Sequence, residues 1–483
     1  MFSLTELLEY EDKEKNNIAI KTKESSITYE ELKKNIKKQS LLFSKFDFKN
    51  KGVAICLPNT LEYAISYFSI LEIRGVVVPI YYNSLPEDII LQLKIAKSSY
   101  IITDTIIKGK LENLEEYLGS KVIDHNLYLC HLDGIKSEVF DDDIAVMLHS
   151  SGTSGLPKRI GHTHSGLLKN IVNNIDDLKI DSADKFLIQL PLNFGYANTS
   201  QFLTAFYLKA SIYLNSSNNF MDMINILGEK EITTLTLVPS MIPILLEYLK
   251  RNKNYENFPS VKYIFLGGSG VNDAIYKKSQ FIFPKAEVIQ TYGQTEAGPR
   301  ISTLRFRDYK EKPLSVGKPI KNVEIRINLS INSKGNIGEI EVNSPSIAKF
   351  IFTLDGIEDK KTKDGWLRTG DAGFIDKDGY LYLSGRLDGM VIVNGLNVFP
   401  EEIESIINAV PGIKESKVYS YKDRHGRTNL GAYLVRETKN LTYSDIIRNL
   451  KEKISAHKIP QNMNFVESLD KTYNNKIKRY NII

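Results

Sequence analysis

Between Asn17 and Thr103 short, wholly apolar runs alternate with longer amphipathic stretches, and that alternation leaves few folds open. Gly52 to Leu57 and Val76 to Ile80 read as strands buried on both faces, and Thr60 to Ile73 between them carries the apolar spacing of a helix. Thr28 followed by Glu31 has the form of a capping box and opens a helix running toward Phe46. Strands buried on both faces and separated by helices are the mark of βαβ units and a parallel sheet.

The stretch from Lys108 to Asp142 is polar and has no clear period, and then the rhythm returns. Ile144 to His149, Lys185 to Leu190, Thr233 to Val238 and Val261 to Leu266 are strand-like, with helical patterns between them. Several of the turns that follow are rich in Gly, Ser and Pro. Open α/β sheets bind ligands beyond the carboxyl ends of their strands, so these turns are where chemistry is expected. From Lys312 to Gly385 short strands broken by glycine turns, as in GEIEVNSP and DGYLYLSG, suggest a small β-rich subdomain. Beyond Arg386 comes a compact α+β unit: a strand at Met390 to Val393, a helix opening at Pro400 with Glu401 and Glu402 in its first turn, two strands, and a helix from Tyr443 to His457. The expected fold is α/β, with a large N-terminal body of layered subdomains over residues 1–387 and a small, mobile α+β domain over residues 388–483. A chain of 483 residues is longer than one core usually organises, which agrees.

Charge narrows the partners. The 63 basic and 58 acidic residues leave a formal +5, enough to favour anionic substrates but without the basic stripe that nucleic-acid binding requires. Cys56 and Cys130 have no metal-ligand spacing and form no disulfide framework, which fits a reducing compartment. The opening MFSLTELLEYEDKEK is too acidic for a signal peptide, and no apolar run approaches membrane-spanning length. A cytoplasmic protein is expected. The sequence sets no oligomeric state.

Ser150, Ser151, Gly152, Thr153, Ser154, Gly155, Leu156, Pro157 and Lys158 directly follow the apolar run from Ile144. A strand passing into such a loop can offer backbone N–H groups, hydroxyls and one lysine to phosphate oxygens; read alone, it is also an ordinary surface turn. It is not the common P-loop, since no Gly-Lys-Ser/Thr occurs. The segment closely resembles the phosphate-binding loop of the adenylate-forming superfamily, which contains acyl- and aryl-CoA synthetases, nonribosomal peptide adenylation domains and luciferases. Four further segments match that family in order and together span nearly the whole chain.

Thr291, Tyr292, Gly293, Gln294, Thr295 and Glu296 form the second match. The resemblance implies that Tyr292 lies against adenine, Thr295 meets phosphate and Glu296 helps to hold Mg2+, an oxygen-seeking ion that keeps water and substrate phosphates as its other ligands. Gly268 and Ser269, in the preceding GGSG turn, resemble the segment that approaches the base. Asp371, in Thr369-Gly370-Asp371, matches the aspartate that accepts hydrogen bonds from the ribose hydroxyls. In the fourth match Arg386 is implied to reach the ribose or phosphate, Asp388 to be the hinge of the small domain, and the loop through Gly395 to line the approach of the thiol. Ile392 stands where many relatives carry lysine, a departure shared with some fatty-acyl and aryl-CoA synthetases. In the last match Lys476 is implied to bridge the substrate carboxylate and the α-phosphate, although Asn475 replaces the family's preceding glycine.

The implied reaction is activation of a carboxylic acid by ATP and Mg2+ to an acyl-AMP, with release of pyrophosphate, followed by transfer to a thiol. CoA is the first choice of acceptor. A carrier protein's phosphopantetheine is the alternative, and a noncatalytic nucleotide-binding relative is disfavoured by Glu296, Asp371 and Lys476. Asn193, Phe194 and Gly195 fall where the family separates the acid pocket from the thiol tunnel, and Phe194 stands where many CoA ligases have histidine. Amino-acid-activating relatives place an aspartate at the position of Gly195, so its absence disfavours an α-amino acid and favours an uncharged acyl or aryl group. Phe194 and Tyr196 read equally well as core aromatics.

Overall fold

The first helix, Tyr29–Phe43, begins where its capping box places it: Thr28 Oγ1 accepts the Glu31 N–H at 3.2 Å, and the Glu31 carboxylate accepts the Thr28 N–H at 2.9 Å. Its apolar stripe of Leu32, Ile36 and Phe43 is buried against the body, each side chain contributing about 1.5–3 kcal/mol on leaving water. The computed structural model describes residues 3–124, 126–151, 157–217, 219–229, 231–251, 257–329, 336–393, 396–424, 427–437 and 440–471.

Among these residues two large sheets carry the body. At the centre of one, Ser211–Leu214, Lys185–Ile188, Thr234–Leu237, Tyr263–Gly267 and Glu287–Tyr292 lie side by side and parallel. In the other, Gly52–Cys56 runs parallel to both Val76–Pro79 and Tyr100–Asp104, and Val76–Pro79 pairs with Ile144–Ser151. Ile144–Ser151 then pairs antiparallel with Pro157–Thr163, so the two arms of the glycine- and serine-rich loop belong to one ladder.

Three expectations change. The polar stretch after Lys108 is structured: Leu127–Leu132 pairs antiparallel with Tyr100–Asp104 and with the edge strand Tyr117–Asp124. That edge strand is largely exposed, so it carries no apolar run that a periodicity reading would find. The β-rich stretch after Lys312 is not a sheet of its own. Ser315–Pro319, Leu381–Arg386, Leu367–Ile375, Gly338–Asn343 and Glu324–Asn328 extend the first sheet, whereas the hairpin Phe350–Thr353 and Gly356–Glu358 joins the second through Pro157–Thr163. Strand partners distant in sequence are set by packing, which local texture does not report. Finally, the helix from Tyr443 ends at Lys451, and the chain turns extended at Ser455 so that both Ile454 and Ile459 meet the small domain's core.

That small domain has its own core, with Val398, Ile403, Ile407, Val418, Leu430 and Leu450 buried together. Its helix Pro400–Asn408 has proline in the first turn and no side-chain cap. Its polar contacts with the body include Asn272 Nδ2 donating to the Asn408 carbonyl at 3.2 Å and Lys278 pairing with Glu437 at 3.0 Å, and Phe399 and Glu401 pack against Gly385. No helix among the described residues is long and apolar enough to cross a membrane.

Candidate active site

The carboxyl ends of the parallel strands open into a cavity of about 720 Å³. Its walls carry Ser150, Lys158, Gly268, Ser269, Tyr292, Gly293, Gln294, Thr295, Glu296, Asp371 and Arg386, together with Phe194 and Gly195, so six segments separated in sequence converge on one space. The strand ahead of the first segment reaches Ser151, two residues past the expected His149. Gly152, Thr153, Ser154, Gly155, Gly395 and Lys476 lie outside the described residues. Asn193 is buried but does not line this cavity. Asp388 sits on the single helical turn Leu387–Gly389, with its Oδ1 3.4 Å from Arg386 Nε.

Asp371 is fixed from three sides. Tyr292 Oη donates to its Oδ2 at 2.7 Å, Gln294 Nε2 to the same oxygen at 2.6 Å, and Arg386 Nη1 to Oδ1 at 2.9 Å. Charge-assisted bonds of this kind hold a carboxylate in one orientation. Burial, with Asp371 beside it, keeps the Tyr292 phenol protonated far above its ordinary range. Gly293 must be glycine, because a Cβ there would stand 2.1 Å from the Pro299 carbonyl oxygen.

Glu296, 6% exposed, begins the other end of the site. Its Oε1 lies 3.4 Å from Ser150 Oγ and 3.5 Å from Lys360 Nζ. A buried carboxylate can give oxygen to a hard metal ion, here in competition with the Lys360 ammonium, and no cluster of three metal-ligating side chains occurs among the described residues. Lys158 Nζ pairs with Glu358 Oε2 at 2.5 Å. Lys360 and Glu358 both come from the hairpin after Phe350, and sequence reasoning missed both. No motif marks them, and only the pairing of that hairpin with Pro157–Thr163 brings them here.

His149 is a further cavity residue that the sequence reading passed over; its ring meets Phe194 edge to face at 6.1 Å. The imidazole thus stands beside the position where many relatives have histidine. Burial, with Arg159 adding to it, pulls its pKa down to about 3, so it is neutral at pH 7.

Tyr196 closes the inner end of the cavity. Thr291 Oγ1 donates to the Leu266 carbonyl at 3.2 Å and so accepts from Tyr196 Oη at 2.8 Å. A Cβ at Gly267 would be 2.8 Å from that phenol oxygen. Arg300 stands over the Tyr196 ring at 5.6 Å and over Phe265 at 5.4 Å. It is fully buried, and none of its three guanidinium nitrogens has a hydrogen-bond partner among the described residues. A cation over an aromatic face gains about 0.5–2 kcal/mol. That does not match the several kcal/mol that an uncompensated buried ion costs.

A family model described as AMP-binding enzyme matches residues 9–352, and the model for the AMP-binding enzyme C-terminal domain matches residues 402–476. The chain is 27% identical to a 2-succinylbenzoate–CoA ligase of Oceanobacillus iheyensis, over 95% of this chain and 94% of the relative. It is also 27% identical to 4-coumarate–CoA ligase 1 of Narcissus pseudonarcissus, over 88% and 82%. In fold it is similar to the o-succinylbenzoate coenzyme A synthetase of Bacillus subtilis solved with ATP and magnesium, with TM-score 0.83, 24% identity, and 99% and 98% of the two chains covered. ATP-bound MatB of Rhodopseudomonas palustris gives TM-score 0.83 at 22% identity, covering 99% and 97%.

Proposed function

The chain belongs to the AMP-binding enzyme family, and from that membership we propose that it is an AMP-forming acid–thiol ligase acting on a carboxylic acid without an α-ammonium group. A carboxylate is a poor acyl donor. Attack of its oxygen on the α-phosphorus of ATP expels pyrophosphate and gives the acyl-AMP, whose carbonyl then yields to a thiol as AMP leaves. CoA is the acceptor, in keeping with the CoA ligases among its relatives.

The observation that carries this reading is the fixed Asp371 sharing one cavity with Glu296, Lys158 and Lys360. Asp371 has the setting to accept the ribose hydroxyls, with Tyr292 against the base and Gly268 and Ser269 beside it. Arg386 reaches the ribose or phosphate. Lys158, Thr295 and the loop from Ser150 to Gly155 hold the phosphates. Glu296 is the residue that would hold Mg2+, with phosphate oxygens and water completing its ligands; the ion would neutralise charge on the triphosphate. Lys476 bridges the acid and the α-phosphate. Residues 388–483 turn about Asp388 between the two steps, and polar contacts such as Asn272–Asn408 and Lys278–Glu437 suit a surface that parts and closes again. Phe194, Gly195 and His149 separate acid from thiol, and the loop through Gly395 lines the approach of the thiol. Both cysteines are buried and free, in keeping with a cytoplasmic setting.

The test is pyrophosphate release by the purified chain with ATP, Mg2+ and a panel of acids, followed by addition of CoA or of a phosphopantetheinylated carrier with the best acid. Acid-dependent release followed by CoA thioester is expected. No release with any acid overturns the reading, and thioester on the carrier alone replaces CoA as the acceptor.

A further inference from the structure

Behind the wall that ends the acid side of the cavity stands a positive charge with no ion-pair partner among the described residues. Arg300 is fully buried, its Nε, Nη1 and Nη2 are all unpartnered among the described residues, and only the rings of Tyr196 and Phe265 face its guanidinium. Among the described residues Asp177 is a carboxylate that acts on it, and that residue accepts from Thr303 Oγ1 at 2.6 Å and makes no ion pair with Arg300. Water would fill hydrogen bonds but leave the charge uncompensated in a low-dielectric interior.

Two more buried polar atoms have no partner among the described residues: Thr199 Oγ1, one helical turn after Tyr196, and Asn170 Oδ1, whose own Nδ2 donates to the Arg300 main-chain carbonyl at 3.2 Å. Tyr196 leads into a π-helical stretch, Asn198–Leu203, a wide turn that recurs at functional sites. Tyr196 lines the cavity and Arg300 does not, so a single aromatic ring, held by one hydrogen bond to Thr291, separates the guanidinium from the substrate space.

We propose that Arg300 receives a second carboxylate at the far end of the acid, so that the preferred substrates are dicarboxylic acids or aryl acids carrying a second carboxyl group. The guest carboxylate pairs with the planar guanidinium once Tyr196 turns aside, and the first carboxylate remains at the α-phosphate. This rests on the adenylation reading and replaces the uncharged tail expected from Gly195, whose argument excludes only an α-ammonium group.

ATP–pyrophosphate exchange by the full-length chain, with aliphatic and aromatic diacids compared with their monoamides of equal length, reads the proposal directly. The wild type is expected to favour the best diacid over its monoamide by about tenfold or more in kcat/KM. Arg300→Met removes that preference, leaves the monoamide rate and the KM for ATP near wild type, and Arg300→Lys retains part of the preference. In a parallel measurement without ATP, the diacid raises the Tm of the wild type and not of Arg300→Met. Equal loss for diacid and monoamide in Arg300→Met, or a wild type that favours monoamides, overturns the proposal. So does a Tm rise with chloride to which no diacid adds, which assigns the charge to a resident inorganic anion. If no acid supports exchange but the diacid still raises the wild-type Tm through Arg300, the anion site stands and the adenylation reading falls; absence of both effects overturns both.

Discussion

Two lysines that line the cavity are each paired with a glutamate: Lys158 is held by Glu358, and Glu296 by Lys360. On the proposed function the triphosphate would compete for both lysines, which makes Glu358 a competitor and Lys360 an ally. Lys360→Gln should therefore raise the KM for ATP about tenfold, the loss of one charge-assisted contact of about 1.5 kcal/mol. Glu358→Gln should lower it severalfold. The chain's only tryptophan, Trp366, lies six residues beyond Lys360, so its fluorescence offers a direct titration with ATP. An unchanged KM in both variants would show that the pairs play no part in nucleotide binding. Glu296→Gln should raise the Mg2+ concentration needed for half-maximal pyrophosphate release, and an unchanged Mg2+ dependence would remove the assigned role.

At the scale of elements, the hairpin that supplies Glu358 and Lys360 is seated on one glycine. Phe350 lies opposite Gly161 in the ladder, and a Cβ at Gly161 would fall 2.2 Å from the Phe350 ring. Gly161→Ala must push the ring away and carry the hairpin with it, at about 1–3 kcal/mol of overpacking strain. The expected result is a lower Tm together with a raised KM for ATP and an unchanged KM for the acid. A variant that loses stability alone would uncouple the hairpin from the nucleotide site. The βαβ elements were legible because each carries its own signal: Thr28 and Glu31 cap a helix that begins at Tyr29, and the run from Gly52 is buried at every residue of Gly52–Cys56. The strands after Lys312 were legible singly, but their division between two sheets was not, since an antiparallel partner can come from anywhere in the chain.

For the whole molecule, acid should be destabilising through two buried histidines. Burial pulls His149 to about 3, with Arg159 adding to it, and His162 to about 4, both from 6.5. Because the folded values lie below the unfolded one, their contribution is complete above about pH 6.5 and is lost as pH falls toward 4 and 3. Each then costs about 2 kcal/mol between pH 7 and pH 5. Urea unfolding at the two pH values should show this drop, and His162→Gln should reduce it by about half; an equal drop in the variant would assign the acid sensitivity elsewhere. Lys278 and Glu437 form a partly exposed ion pair between small domain and body, so Lys278→Ala should change stability by less than about 1 kcal/mol. It should instead alter the ratio of the adenylation and thioester rates, and an unchanged ratio would argue that the contact does not count the domain's two positions.

The sequence by itself determined the parallel α/β body and the segments that bear Ser150, Tyr292, Glu296 and Asp371. Ser150 and Tyr292 stand at the ends of Ile144–Ser151 and Glu287–Tyr292, Glu296 follows the second of these, and Asp371 lies within Leu367–Ile375, so each segment carries a local signal of its own. Tertiary structure alone decided that Lys158 meets Glu358 across 200 residues, that Glu296 meets Lys360 across 64, and that Arg300 is shut behind Tyr196 without an ion-pair partner among the described residues. These are effects of sheet order and burial. A charged residue reads the same in a one-dimensional string whether it faces water, a partner or neither, and only the packed interior tells the three apart.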